Sequence, residues 1–446
     1  MKPLEQLSRT STAVPDKLSG LVAAAVFVLL ACPPASAQRI TGRLITSAVT
    51  WEKIDTVGSS HKVLRGFESA LFDISKDNMS LHTNLQVGTT TGNDLSRKTD
   101  YRIFSLFARM KDVGGAADIS LGRIPFYMGV GLGTVDGALV TLHQTNSIYK
   151  VSLYGGATSV PDYGLHSYGR LKDKFTLGGQ VFINALPELH GSLSYINRRS
   201  PLPSYYALRA DPQTLDPVSV LVVPDPEREQ LGGMDLSYAK TDLTLYGRYD
   251  HNFELGKLQR AQFGARYSLT PEFFVTLDAA RREPLVPVGT IFSQFTLKGI
   301  TEIEVGEEYF ICPGLRTFLR GAFVGYDGAT SFRYSAGVGR SYIQLGLQGN
   351  TGYAGELTSV SVNGAYPILK NCLVPNAGFS YMSYRVDRQS SRYDATSAVL
   401  GATLRPVETF SLDLQGQWLN NYIVKSDFRF VGRLQYWFSE SLNFFE

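Results

Sequence analysis

The chain of 446 residues has few cysteines, little excess charge and no long apolar run after its N-terminal region. Its 3 cysteines are too few for a disulfide framework in a chain of this length. Because 43 lysines and arginines nearly balance 40 aspartates and glutamates, a large nucleic-acid-binding surface is excluded. No segment of the mature chain approaches the roughly 18 apolar residues of a membrane-spanning helix, which excludes a helical membrane protein.

The N-terminal region has the pattern of a signal peptide. Its apolar core, Leu21–Ala31, is too short to span a bilayer comfortably, and the small residues Ala35–Ala37 follow it. Three basic residues precede the core: Lys2, Arg9 and Lys17. We therefore predict that residues 1–37 are a signal peptide and that the mature chain starts at Gln38. The alternative is a lipoprotein modified at Cys32, since the residues before it resemble a lipobox.

Hydrophobicity alternates with a period of two along most of the chain. In Phe428–Phe438 the even positions are aromatic, leucine or glycine, whereas the odd positions include Arg429 and Arg433. Successive side chains of a strand point to opposite faces, so one face is apolar and the other is charged. Similar segments start at Phe175, Leu243, Phe273, Leu315, Ile343 and Phe410.

This repetition predicts an all-β fold, a single transmembrane antiparallel β-barrel over residues 38–446 with lipid outside and water inside. A soluble β-sandwich or propeller would give the same alternation. The high strand count, the aromatic residues at strand ends and the lack of a repeat of about 40–50 residues favour the membrane barrel.

Connections between the predicted strands alternate between short polar turns and longer segments, as in outer-membrane barrels. With Arg39–Ile54 as the first strand, we count about 22 strands (range about 18–24), with both termini on the periplasmic side. Thr290–Ile311 is counted as one long strand. The longest connection, Ser200–Glu227, contains six prolines, and its Val218–Val223 segment is predicted to form a small strand of its own.

A glycine-rich segment, Gly122–Ala138, lies between two predicted strands. It begins with Gly-Arg and ends with Asp-Gly-Ala, an arrangement that resembles bacterial outer-membrane porins, where these pairs flank the third outer loop. The resemblance covers Ala116–Gly156. It implies that Pro125–Asp136 is a loop that folds into the lumen and narrows it. The alternative is a plain hairpin in which Asp136 binds its own turn.

Arg123, in the same segment, conflicts with the alternation. On a regular strand it would share the lipid-facing side with Ile119 and Leu121, at a cost of about 2–4 kcal/mol near the midplane. We therefore expect either a bulge that turns Arg123 inward or a position beyond the hydrocarbon. Arg123 and Asp136 are candidate constriction residues.

Charged residues of both signs recur on the polar face of the predicted strands. The candidates for the lumen wall are Arg248, Asp278, Arg316, Arg320, Asp413, Arg429 and Arg433. They either solvate a wet lumen without selectivity or form a weakly anion-favouring wall around the pairs Arg316/Arg320 and Arg429/Arg433.

Catalytic chemistry has little support in the sequence. His166 and Ser167 are adjacent, but neighbouring side chains of an extended strand point apart. No serine lies in a Gly-x-Ser-x-Gly motif, and no His/Cys cluster has the spacing of metal ligands. We predict a protein that is not an enzyme and that has no cofactor and no metal site.

The sequence thus predicts a porin-like outer-membrane channel for passive diffusion of small hydrophilic solutes. The alternatives are a loop-plugged barrel acting as an anchor, adhesin or assembly partner, and, third, a lipid-modifying enzyme. Expected partners are the lipid bilayer with lipopolysaccharide, the barrel-assembly machinery and small solutes, but not nucleic acid; a homo-oligomer is compatible with the pattern. Cys312 and Cys372 fall four strands apart, about 19 Å, so we predict no bridge between them.

Overall fold

The computed structural model describes residues 38–54, 60–92, 95–143, 148–159, 171–202, 204–210, 216–286, 295, 297–387 and 389–442. The predicted signal peptide lies outside these residues, as do Cys32, His166 and Ser167. Within the described residues the chain forms 24 strands and one short 3-10 helix, Leu171–Asp173.

Most of the strands are 10 to 19 residues long, enough to cross a bilayer at the tilt of a barrel. The first half contains β1 (Gln38–Ile54), β2 (Ser60–Lys76), β3 (Met79–Gly92), β4 (Leu95–Val113), β5 (Ala117–Met128), β6 (Gly131–His143), β7 (Tyr149–Thr158), β8 (Phe175–Leu186), β9 (Leu189–Ser200), β10 (Tyr205–Ala210), β11 (Pro217–Val222) and β12 (Glu227–Lys240). The second half contains β13 (Leu243–Asn252), β14 (Lys257–Thr270), β15 (Phe273–Arg282), β16 (Ile300–Cys312), β17 (Leu315–Tyr326), β18 (Ala329–Arg340), β19 (Ile343–Gly352), β20 (Glu356–Ala365), β21 (Leu373–Arg385), β22 (Tyr393–Val407), β23 (Phe410–Asn420) and β24 (Asp427–Leu442).

Twenty-two of these strands form one closed antiparallel barrel. Consecutive strands pair with each other, β9 pairs with β12, and β24 pairs with β1 to close the sheet. Because β24 pairs with β1, the sheet has no unpaired first or last strand, which suits a sheet in hydrocarbon. Gln38 pairs with Leu442, so the first and last residues of the sheet lie at the same rim of the barrel. The predicted all-β fold and the count of 22 strands are confirmed.

The remaining two strands, β10 and β11, form a separate hairpin with Tyr205 opposite Val222. The predicted small strand at Val218–Val223 is confirmed within the longest connection, with bounds of Pro217–Val222. Its side chains are mostly exposed, including those of Tyr206 and Leu208.

The prediction of one strand over Thr290–Ile311 is correct in number but not in its start, and residues 290–294 and 296 lie outside the described residues. The strand β16 starts only at Ile300, which pairs with Arg282, the last residue of β15. A strand needs a hydrogen-bonding partner along its length, and β15 ends there, so the described residues just before Ile300 are not part of the sheet.

The two faces of the wall follow the predicted alternation in β24. Phe430, Leu434 and Tyr436 share a face with their cross-strand partners, among them Leu412 and Leu44. This is the outer, apolar face. Arg429, Arg433 and Gln435 lie on the opposite face, which lines the lumen.

Cys312 and Cys372 are both free thiols.

Candidate constriction site inside the barrel

Part of the β5–β6 hairpin leaves the wall and lies inside the barrel. The pairing of β5 with β4 ends at Arg123, opposite Leu106, and the pairing of β6 with β7 begins at Val135, opposite Thr158. Between these points the two strands pair only with each other, up to Met128 opposite Gly131. We call residues 124–134 the inner hairpin.

The prediction that Pro125–Asp136 is a loop is therefore wrong, because most of these residues belong to β5 and β6. Only Gly129 and Val130 lie between the two strands. The glycines that suggested a loop instead allow a paired hairpin to bend. The chain leaves the wall at Gly122, where φ is +130°, and a Cβ there would lie 2.3 Å from the carbonyl oxygen of Leu106.

The underside of the inner hairpin packs on the inner face of the wall. Ile124 and Phe126, with Val135 at the root of the hairpin, form a buried apolar cluster with Tyr154 of β7, Ile196 of β9 and Leu231 of β12. The rings of Phe126 and Tyr154 stack with 4.1 Å between their centroids. This cluster is an apolar core between two layers of backbone, and it fixes the hairpin against one side of the lumen.

Polar groups of the wall bind the tip of the inner hairpin. The amide of Val130 donates to the Oγ of Ser194 at 3.0 Å, and the Nη2 of Arg248 donates to the carbonyl oxygen of Gly129 at 3.2 Å. Further back, Nη1 of Arg198 donates to the carbonyl oxygen of Leu132 at 3.0 Å. The hairpin thus crosses the inside of β7, β8, β9, β12 and β13, which we call the covered sector.

Arg123 and Asp136 meet at the root of the inner hairpin. Nε and Nη2 of Arg123 donate to the two carboxylate oxygens of Asp136, each at 2.7 Å, and the side chains are only 6% and 8% exposed. Nη1 of Arg123 also donates to the carbonyl oxygen of Ile103 on β4, at 3.1 Å. Between Leu95 and Ser105, β4 no longer pairs with β5. The guanidinium of Arg123 therefore supplies a hydrogen bond that a backbone N–H of the neighbouring strand would otherwise donate.

A cavity of about 1020 Å³ lies beside the tip. Four basic and four acidic side chains line it: Arg198, Arg248, Arg260 and Arg282, with Glu229, Asp235, Asp250 and Glu283. Nε of Arg198 donates to Glu229 at 2.7 Å, and Nε of Arg248 lies 2.9 Å from Asp250. From the side of the hairpin that faces away from the wall, Tyr127 and Leu132 project with 78% and 59% exposure.

The inner face of β16, β17 and β18, which we call the open arc, carries long charged side chains. Arg320 binds Glu308 at 3.1 Å, and Arg333 binds Glu304 at 2.9 Å. The glutamates of β16 were not among the predicted lumen residues. They alternate with Ile303 and Val305 in the sequence, but they fall in the segment Thr290–Ile311 that was counted as one long strand.

The other predicted lumen residues are distributed around the wall. Asp278 faces Glu304 across β15 and β16, and Arg316 is exposed near the turn that follows β16. Arg429 binds Asp427 at 2.6 Å. Asp413 accepts hydrogen bonds from Thr403 and Gln435 and lies opposite Arg433. Arg320 and Arg429 thus have carboxylate partners, so the two arginine pairs do not form a purely positive wall.

Among the described residues, no group of three or more His, Cys, Asp or Glu side chains could hold a metal ion. In the same part of the chain no helix is long and apolar enough to cross a membrane.

Comparisons with known proteins give similarity at the level of structure. No family model matches the chain, and no curated protein matches it. The structure is similar to OccAB4 of Acinetobacter baumannii, with 10% identity, a TM-score of 0.40 and coverage of 91% of this chain and 99% of that chain. It is also similar to OccK11 (OpdR) of Pseudomonas aeruginosa, with 12% identity, a TM-score of 0.41 and coverage of 90% and 96%. A third similar structure is the translocation pore of the P pilus usher PapC, with 8% identity, a TM-score of 0.44 and coverage of 90% and 99%.

Proposed function

We propose that this protein is a porin-like outer-membrane channel through which small hydrophilic solutes diffuse passively. The observation that carries the proposal is the inner hairpin, which is bound to one sector of a closed barrel and leaves the charged open arc uncovered. An apolar outer face and a closed sheet suit a bilayer, and a polar inner face suits water.

The charges of the lumen support a channel with weak ion preference. The cavity beside the hairpin tip has equal numbers of basic and acidic side chains, and the arginines of the open arc bind glutamates. Opposite charges at close range cancel most of each other's field in the pore. Solutes are therefore sorted by size and shape, at the point where Tyr127 and Leu132 project into the lumen.

Single-channel recording in planar bilayers tests this proposal. The wild-type protein should give discrete conductance steps, and Tyr127→Ala with Leu132→Ala should enlarge them because two bulky side chains are removed from the passage. Leu177→Ala, on the outer face, is the matched control and should leave the steps unchanged. If folded wild-type protein gives no steps, the barrel is closed and the channel proposal fails.

A second candidate function is that of an adhesin or assembly partner. It is favoured by the β10–β11 hairpin, which exposes Tyr206 and Leu208 rather than burying them. Exposed apolar side chains grouped on one hairpin are typical of a contact surface for another protein. Deleting residues 205–222 should abolish surface adhesion without changing conductance if this second function exists.

A further inference from the structure

Two arginines lie directly opposite each other on the outer, lipid-facing side of the wall. Arg199 of β9 pairs with Arg228 of β12, and the register places both on the face of Leu193 and Met234. In the described residues neither guanidinium has a carboxylate partner: Arg199 donates to the carbonyl oxygen of Lys172 at 3.4 Å and lies over the ring of Phe175. Like charges directly opposite across a sheet destabilise it unless an anion lies between them.

The next outward pair below the two arginines is also polar. Asn197 and Gln230 face each other one step along the same strands. Two guanidinium groups and two carboxamides, presented side by side, form a set of N–H donors suited to the oxygens of a phosphate group. We call Arg199, Arg228, Asn197 and Gln230 the outer polar quartet.

The height of the quartet matches the outer edge of the bilayer. Arg199 is ten residues along β9 from Leu189, which follows the short turn at the rim of the termini. With a rise of about 3.3 Å per residue and a tilt of about 40°, ten residues climb about 25 Å, the height of the apolar band of an outer-membrane barrel. The quartet therefore lies where the headgroups of the outer leaflet begin.

Aromatic and aliphatic side chains continue the site downward. Tyr195 and Phe253 lie against each other with centroids 6.3 Å apart, and Phe253 covers the bare backbone of Gly232. Below them Leu193 and Met234 are exposed on the same face. An aromatic pair above an aliphatic surface fits the first carbons of acyl chains.

We propose that the outer polar quartet binds the phosphate of a phosphorylated glycolipid of the outer leaflet, with its acyl chains on the surface below. The inference rests on the outer-membrane location in the proposed function, but not on an open lumen. Its ligand would hold one fixed position on the barrel, above β9 and β12, rather than exchange freely around the whole circumference.

The test is retention of lipid A, carrying both of its phosphates, by detergent-purified protein in native mass spectrometry. The wild-type barrel should retain one lipid A, and Arg199→Gln with Arg228→Gln should weaken binding at least about tenfold, because two charge-assisted hydrogen-bond donors are lost. Arg281→Gln is the matched control. Arg281 also faces outward near the outer end of its strand, but it binds Glu283 at 3.3 Å, so its loss should leave lipid A binding within about twofold.

Three results would overturn the proposal. Unchanged binding by the double glutamine variant removes the role of the arginines. Equal binding of dephosphorylated lipid A assigns the surface to acyl chains alone. Displacement of lipid A by micromolar inorganic phosphate assigns the pair to a soluble anion.

Three further measurements keep the result interpretable. Arg199→Lys with Arg228→Lys should restore part of the binding, and a heat-dependent shift in gel mobility should show that each variant is folded. Conductance should be the same in the variants of Arg199 and Arg228, because the quartet lies outside the pore. Failure of the channel proposal would appear as a wild-type barrel without conductance steps, whatever its binding of lipid A.

Discussion

Under the inner hairpin, the wall turns small or apolar side chains inward, such as Ser152, Ser194 and Ile196, all of them buried. In the open arc, the wall turns Glu304, Arg320 and similar long charged side chains inward. Both arcs belong to the same closed sheet and have the same period of two. They differ because the apolar residues of the inner hairpin pack directly on the wall and leave no room for long side chains beneath them. The long inward side chains of the covered sector, Arg198 and Arg248, instead bind carbonyl oxygens of the hairpin.

The two arcs also satisfy polar groups in different ways. The inner hairpin has backbone groups at its tip that no strand pairs with, and Ser194 and Arg248 of the wall bind them. In the open arc the charged side chains bind each other. Small and apolar inward side chains therefore indicate wall that lies under a second layer, whereas charged inward side chains occur in both arcs.

The largest loss of stability should come from breaking the buried ion pair at the root of the inner hairpin. Asp136→Asn removes the carboxylate that binds the buried Arg123, and we expect the free energy of unfolding to fall by about 3–5 kcal/mol. Denaturant titration in lipid vesicles measures this. Arg123→Met with Asp136→Met should cost clearly less than Asp136→Asn alone. If the single and double variants lose equal stability, the pair does not act as a unit.

A middle-sized effect should distinguish the two faces of one strand. Leu434 lies in the middle of β24 on the outer face, and Leu434→Arg should cost about 2–4 kcal/mol because it places a charge in hydrocarbon. Arg433→Leu, its neighbour on the lumen face, should cost far less. The same titration compares the two variants, and equal costs would contradict the assignment of faces.

The smallest effect should come from the open arc. Glu304 binds Arg333 in a pair that is partly exposed to the lumen, so Glu304→Gln should lower the free energy of unfolding by less than about 1 kcal/mol. Measured beside Asp136→Asn, it is the matched carboxylate-to-amide change in the other arc. A loss as large as that of Asp136→Asn would mean that the open arc is covered as well.

Much of the barrel could be predicted from residues such as those of β24, because alternation, strand length and turn position are local properties. Arg123 shows where that reasoning stops. The sequence places Arg123 on the same face of β5 as Leu121, and the strand pairing agrees, since Arg123 lies opposite Leu106 on one side and Asp136 on the other. Arg123 nevertheless avoids lipid, because the backbone bends at Gly122 and β5 stops pairing with β4 after Arg123. That depends on contacts with β4, which no local pattern contains.

The conformation of Pro125–Asp136 also depends on contacts with residues that are distant in the sequence. Glycines at Gly129, Gly131 and Gly133 look like a loop in the sequence, whereas the structure keeps them in a paired hairpin held by Tyr154 and Ser194, residues that follow in β7 and β9. The carboxylate partners of the predicted lumen arginines could not be predicted from the sequence either, because charge pairing across strands depends on register.

The amino-acid sequence by itself determined that this chain is a closed antiparallel barrel with an apolar outer face, because the period of two and the short turns act over a few residues. Only the tertiary structure decided where the lumen is covered, that Arg123 and Asp136 bind each other, and that Arg199 and Arg228 meet on the outer face. Those facts depend on strand register and on the bend of one hairpin, which bring together residues far apart in the chain.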